Sequence, residues 1–269
     1  MTSAEMAVIG GSGLSRLFDG PAESVEVSTP YGRVGATVGD FAGRPAVFLP
    51  RHGAGHTVPP HLIAYRANIW ALASLGVRTV LSSSAVGSLT PDLPPGTLAL
   101  TDQIIDRTSG RDATYFDRGE VHHLPAADPF DPALHRIALA ALRDAGEDIR
   151  PTATAVVIDG PRFATRAESR WHAAIGGEVV NMTMAPEVFL AAELGIGTVN
   201  LAFVTDMDAG VRAGDPDSAS QTLVFDRLRS AQPRIVAALG AIAAAIPSGY
   251  RAPQYIPAHA VAAVLGRTS

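Results

Sequence analysis

The stretch Met6-Ala7-Val8-Ile9-Gly10-Gly11-Ser12-Gly13 decides how this chain is read. Four apolar residues without polar alternation describe a strand buried on both faces, and the glycines after them end it in a tight turn. Outward from it the pattern repeats. Short β-like runs at 25–27, 36–38 and 46–49 are followed by helical spacing over 59–75, with Leu62, Tyr65, Ile69 and Leu72 on one face. A strand at 79–81 runs into Ser82-Ser83-Ser84-Ala85-Val86-Gly87-Ser88, and further strands fall within 96–105, 153–158 and 199–205. Helices are predicted over 131–145, 164–175, 185–194 and 225–246, with a polar, His-containing loop at 106–128. Such alternation predicts an α/β fold: a single domain over 1–269, its central mixed β-sheet flanked by helices. No internal repeat or low-complexity linker divides the sequence. The Pro-bearing segment 247–269 is read as a tail that packs on a neighbouring subunit or stays partly loose.

Composition narrows the chemistry. The 269 residues are 47% hydrophobic, enough for a substantial core, and 26 acidic side chains exceed 21 basic ones for a net charge of −5. Nucleic-acid and anionic-membrane binders carry the opposite balance, so neither partner is expected. Every basic residue is arginine. Without lysine there is no Schiff-base chemistry, no lysine-bound pyridoxal phosphate and no P-loop. Without cysteine, disulfides, thiolate catalysis and cysteine-ligated metals are excluded too. Residues 1–10 lack the pattern of a signal peptide. The longest apolar run, 235–246, is about 12 residues, short of the roughly 20 that span a bilayer. A cytoplasmic location is the expectation.

Polar clusters recur where the apolar strands stop, the place where α/β sheets build ligand sites. Gly11-Ser12-Gly13 lacks the third glycine of a dinucleotide fingerprint, although Glu26 stands in roughly the place of a ribose-binding acid. The loop also reads as a small anion-binding nest, but taken alone the segment reads first as an ordinary tight turn. Arg51 and His52 supply a permanent cation and a titratable donor, with Gly53 and Gly55 allowing close backbone approach. His52 and His56 have metal-like spacing, but the two intervening glycines argue against a rigid helical turn, and no metal is expected. The serine run ending in Ala85 offers hydroxyls to an anion or to solvent; it is not a G-x-S-x-G nucleophile motif. Asp206 and Asp208 form the sharpest pair. In an extended segment both carboxylates face one side, and their repulsion with partial burial raises at least one pKa. A helix cap or a magnesium site is the alternative for that pair.

Together these segments resemble the trimeric purine nucleoside phosphorylases, in particular their 5′-methylthioadenosine phosphorylase branch. The matching stretches run from Ile9-Gly-Gly-Ser-Gly-Leu14 to Val204-Thr-Asp-Met-Asp208, about three quarters of the chain. Between them lie Pro50-Arg-His-Gly53, Tyr65-Arg-Ala-Asn-Ile-Trp-Ala-Leu72, Ala85-Val-Gly-Ser-Leu89, Asp102-Gln-Ile-Ile-Asp-Arg-Thr108, Gly160-Pro-Arg-Phe163, Arg166-Ala-Glu-Ser169 and Val180-Asn-Met-Thr183.

The resemblance implies phosphorolysis of a purine N-glycosidic bond by inorganic phosphate, with no cofactor beyond that co-substrate, in a homotrimer. It places Ser12, Arg51, His52, Ser84, Ala85 and Thr183 at the phosphate, Met182 against the ribose and Phe163 on the base. Asp206 is placed at purine N7, Asp208 at the 6-amino group and His123 beside the 5′ substituent. Asparagine replaces the first acid in the 6-oxopurine branch, so Asp206 favours an aminopurine such as methylthioadenosine. Four positions depart from that branch: Ala64, Ala164, and the pair Ala209-Gly210, the pair being similar to the 6-oxopurine branch. Other readings are a 6-oxopurine phosphorylase, a catalytically silent purine-binding protein and a dinucleotide-dependent oxidoreductase.

Overall fold

A computed structural model describes residues 4–210 and 214–268. The opening apolar run forms β1 (Met6–Gly10), buried along its whole length. Next come β2 (Ala22–Thr29), β3 (Gly32–Phe41) and β4 (Arg44–Pro50), an antiparallel meander whose last strand pairs parallel with β1. After a single 3₁₀ turn at Pro60–Leu62 the chain forms α1 (Tyr65–Ser74) and then β5 (Thr79–Ser88). The short strands β6 (Leu98–Thr101) and β7 (Gln103–Asp106) precede α2 (Pro132–Asp144), β8 (Ile149–Arg150) and β9 (Thr154–Val157). The remainder is α3 (Arg166–Ala174), β10 (Val179–Asn181), α4 (Met184–Glu193), β11 (Gly197–Asp206), α5 (Gln221–Ala245) and α6 (Ala258–Leu265).

β5 is the hub of one mixed sheet. Its first half lies between parallel β1 and parallel β11, while its last two residues pair antiparallel with β10. Period-2 geometry sends alternate side chains to opposite faces. Met6, Val8, Phe48 and Leu81 pack with Leu134, Leu228, Leu239 and Ile242 of α2 and α5 on one face. Ala7, Ile9, Val47 and Val80 pack with Ile69, Leu72, Leu190 and Val264 of α1, α4 and α6 on the other. Both faces are covered, which is why the strands read as continuous apolar runs.

Four expectations change. The helix over 59–75 is interrupted because Ile63 is extended, and Leu62 lies 66% exposed instead of joining Tyr65, Ile69 and Leu72. The Tyr65 hydroxyl donates to the Pro60 carbonyl (2.8 Å) and holds the preceding turn. Residues 82–88 are strand rather than loop, since β11 and β10 satisfy their backbone. The span 96–105 holds two strands, broken at Asp102, whose carboxylate takes the Ala153 N–H (3.1 Å). Part of the tail is folded on its own chain: Ile256, Ala260 and Val264 are buried and Trp70 Nε1 donates to the Val264 carbonyl (3.0 Å). No helix among the described residues is long and apolar enough to cross a membrane.

Candidate active site

A cavity of about 480 Å³ opens where β1, β4, β5 and β11 end, within the range typical of small-molecule sites. Residues 84–87 of β5 all line it. Three residues of strand span about 10 Å, so Ser84 and Gly87 mark two ends separated by roughly the length of a nucleoside.

At the Ser84 end, polar side chains are oriented by partners far away in sequence. Asn200 of β11 accepts from Thr101 Oγ1 (3.1 Å), which fixes its amide so that Nδ2 donates to Ser82 (2.8 Å) and Ser84 (2.9 Å). Because Ser84 Oγ accepts there, its own hydrogen is free for a ligand in the cavity. Gly11 N–H donates to Ser83 Oγ (3.3 Å), and a Cβ at Gly11 would meet Ser83 O at 2.4 Å; only glycine lets these chain segments approach so closely. Asn181 accepts from the N–H groups of Thr183 (2.7 Å) and Met184 (2.8 Å), shaping the Met182-Thr183 turn that lines the cavity.

Arg51 is buried and does not stand as a free cation. Its Nε and Nη2 donate to the two oxygens of Glu187 on α4 (2.6 and 2.7 Å), and Nη1 to Ser83 O (3.0 Å). The pairing has a simple cause: an isolated guanidinium is too costly to bury, and Glu187 balances it while leaving further N–H groups for an anion. His52 Nδ1 lies 2.9 Å from the Val58 carbonyl, which can only accept. The proton is therefore on Nδ1 of the neutral ring, and Nε2 keeps its lone pair. Burial, with the Arg51 cation and His56 beside it, pushes His52 down to about 4 despite that carbonyl. His56 stacks on His52, bonds Ser12 Oγ through Nε2 (2.9 Å) and meets Phe225 edge-on.

At the Gly87 end lie Asp206 and Asp208, 2% and 3% exposed. A Cβ on Gly87 would stand 2.7 Å from Asp206 Oδ1. The pair does not face one side by strand alternation. Asp206 ends β11, and Asp208 lies in a turn at φ 47°, a left-handed conformation that aspartate tolerates better than most residues. That turn lets Asp208 N–H donate to Asp206 Oδ1 (2.9 Å), while Thr205 Oγ1 donates to Oδ2 (2.6 Å). Burial, aided by the charge of Asp208, pushes Asp206 up to about 6 against those hydrogen bonds. Burial also raises Asp208, opposed by a hydrogen bond from Ser169.

The comparisons with known proteins fall where this geometry points. Residues 5–241 match the model of the phosphorylase superfamily. The chain is 52% identical over 213 residues to an S-methyl-5′-thioadenosine phosphorylase of Mycolicibacterium smegmatis, covering 78% of this chain and 79% of the relative. It is 48% identical over 255 residues to a purine nucleoside phosphorylase of Streptomyces coelicolor, covering 88% and 90%. The chain belongs to the phosphorylase superfamily. Among solved structures it is similar to methylthioadenosine phosphorylase from Schistosoma mansoni in complex with adenine: TM-score 0.84, 34% identity, 89% of this chain and 91% of that one.

In this phosphorylase the cavity brings together Ser12, Arg51, His52, Ser84, Ala85, Phe163, Met182, Thr183, Asp206 and Asp208. It does not bring in His123, which is exposed on the 106–128 loop and absent from the lining of a single chain. Ala164 is buried but does not line the cavity, nor does Ala64. Glu26 pairs with Arg33 on the outer hairpin (3.4 Å), far from a ribose-reading role. Sequence reasoning missed Glu187, Asn200 and Thr205, and the wall that α5 supplies through Gln221, Val224 and Phe225. Glu187 carried a readable signal, a lone acid in the otherwise apolar run 184–192, where burial demands a partner. The α5 residues carried none, because polar 214–220 separates them from the acids in sequence.

Proposed function

We propose that this phosphorylase cleaves 5′-methylthioadenosine with inorganic phosphate, releasing adenine and 5-methylthioribose 1-phosphate. The observation that carries the reading is the single cavity with a buried acid pair about 10 Å along β5 from an oriented set of anion donors. Phosphate is held by Arg51, Ser84, Ser12 and Thr183. His52 Nε2, a lone-pair acceptor, suits the one O–H that hydrogen phosphate retains. As C1′–N9 breaks, the sugar becomes cationic, a phosphate oxygen bonds C1′, and the Asp206 proton passes to N7 of the departing base. Such general-acid assistance is worth ~10²–10⁴ in rate. Phe163 covers the base, Met182 lies against the ribose, and Asp208 accepts from the 6-amino group. Named relatives support the substrate, since methylthioadenosine phosphorylases recur among them at 44–52% identity.

Purine nucleoside and phosphate are the only partners this reading needs, without metal or organic cofactor, so turnover survives EDTA. The proposal keeps the single nucleoside-phosphorylase domain, the cytoplasmic location and the homotrimer. His123 reaches a cavity only if a neighbouring subunit supplies its loop. Mixing the protein with methylthioadenosine, with and without phosphate, tests the activity: adenine appears only with phosphate. Faster turnover of inosine or guanosine would instead favour the 6-oxopurine reading.

A further inference from the structure

Ser169 is one turn into α3, outside the cavity lining, yet its hydroxyl donates to Asp208 Oδ2. A helical serine commonly returns its hydrogen to the carbonyl four residues back. That acceptor is available here, Thr165 O at 3.2 Å, but the carboxylate offers the shorter and stronger charge-assisted bond. The rest of Asp208 is also pinned: its N–H goes to Asp206 and its carbonyl accepts from Ala219 N–H (2.6 Å).

The groups facing this carboxylate are Asp206 from β11, and Glu168 and His172 from α3. Two are acids that oppose its charge. His172 is buried with Nδ1 unpartnered; burial lowers its pKa, and its charge, when it carries one, favours the ionised Asp208 carboxylate. Among the described residues no arginine pairs with Asp208, because Arg227 is engaged by Thr205 O (2.6 Å) and Asp217 (2.5 Å). The Ser169 hydroxyl is, among the described residues, the side-chain donor that favours the ionised form, beside the backbone N–H of Ala209.

We infer that Ser169 is a positioning residue that decides which purine the site accepts, by holding Asp208 as an acceptor-only carboxylate. The inference rests on the proposed reading that Asp208 faces position 6 of the base. A carboxylate accepts from a 6-amino group and repels a 6-carbonyl; a protonated carboxyl can donate to that carbonyl. Loss of the hydroxyl leaves a buried carboxylate short of a donor and shifts it toward the protonated form. Base preference then erodes even where overall folding is intact.

Calorimetric affinities for adenine and hypoxanthine, measured with phosphate present, test this without requiring turnover. The adenine-over-hypoxanthine ratio is expected to fall roughly 10-fold or more in Ser169→Ala and to return in Ser169→Thr, which keeps the hydroxyl. Ser169→Cys, a weaker donor of similar size, is expected to fall between and serves if the alanine variant does not fold. An unchanged ratio in Ser169→Ala or Ser169→Cys, with Asp208→Asn collapsing it, overturns the role of Ser169 and leaves the base reading standing. An unchanged ratio in Asp208→Asn overturns the base reading itself, and this inference with it.

Discussion

A carboxylic acid that donates near neutral pH needs its charged form disfavoured, and Asp206 meets that condition through burial at the end of β11 and the neighbouring charge of Asp208. Its proton is present below about 6 and lost above. At saturating phosphate, kcat/KM for the nucleoside is expected to decline as pH rises through that value, and Asp206→Asn should remove this limb while lowering the rate ~10²–10⁴-fold. The same shift governs stability with the opposite benefit. A folded-state pKa above the unfolded one adds stability at low pH that is lost between about 4 and about 6 as pH rises. The asparagine variant should therefore gain relative stability over that window, up to about 3 kcal/mol above it, less whatever the Thr205 and Asp208 N–H bonds lose. Denaturant unfolding of both proteins at pH 4 and pH 8 measures the difference. The candidacy of Asp206 and Asp208 was legible as two acids after an apolar run. Their convergence was not, because it depends on a left-handed residue and on hydrogen bonds from Thr205 and Ser169 that no i,i+2 rule encodes.

Between elements, the site is a set of long-range pairings. Ser82, Ser83 and Ser84 look like a solvated turn in one dimension, yet they are buried strand residues because Asn200 and Gly11 meet their hydroxyls. The strand order thus explains why polarity misled the reading of 82–88, whereas β1 and β4 were legible from uninterrupted apolar runs. α4 is tied to β4 in the same way through Arg51 and Glu187, both buried. Glu187→Ala strips a buried cation of its partner, a change that costs about 3–5 kcal/mol. In the folded fraction the KM for phosphate should rise at least about tenfold, with a smaller change in the nucleoside KM; steady-state kinetics with each substrate varied separates the two. Equal changes in both constants would count against an anion role for Arg51. Gly87 offers a steric test at the other end. Gly87→Ala places a methyl 2.7 Å from Asp206 Oδ1 and 3.0 Å from Asp208 Cα, so base affinity should fall at least about tenfold. Titration with adenine reads that loss directly.

For the whole molecule, the sheet and its two helical layers followed from the alternation of apolar strands and amphipathic helices, because both faces are covered by the chain itself. The exposed 106–128 loop follows a different logic. His123 and the 69% exposed Val121 do not line the chain's own cavity, and nothing in a single sequence reports contacts between copies. Static light scattering is expected to give three times the chain mass, and a monomer would remove the neighbour that His123 requires. Every one of these scales converges on where the two substrates sit. The most direct measurement is a crystal structure with adenine and phosphate soaked together. The account predicts the purine between Phe163 and the acids, N7 within hydrogen-bonding distance of Asp206, and phosphate among Arg51, Ser84 and His52. Adenine bound away from Asp206 and Asp208, or phosphate outside that donor set, would contradict it.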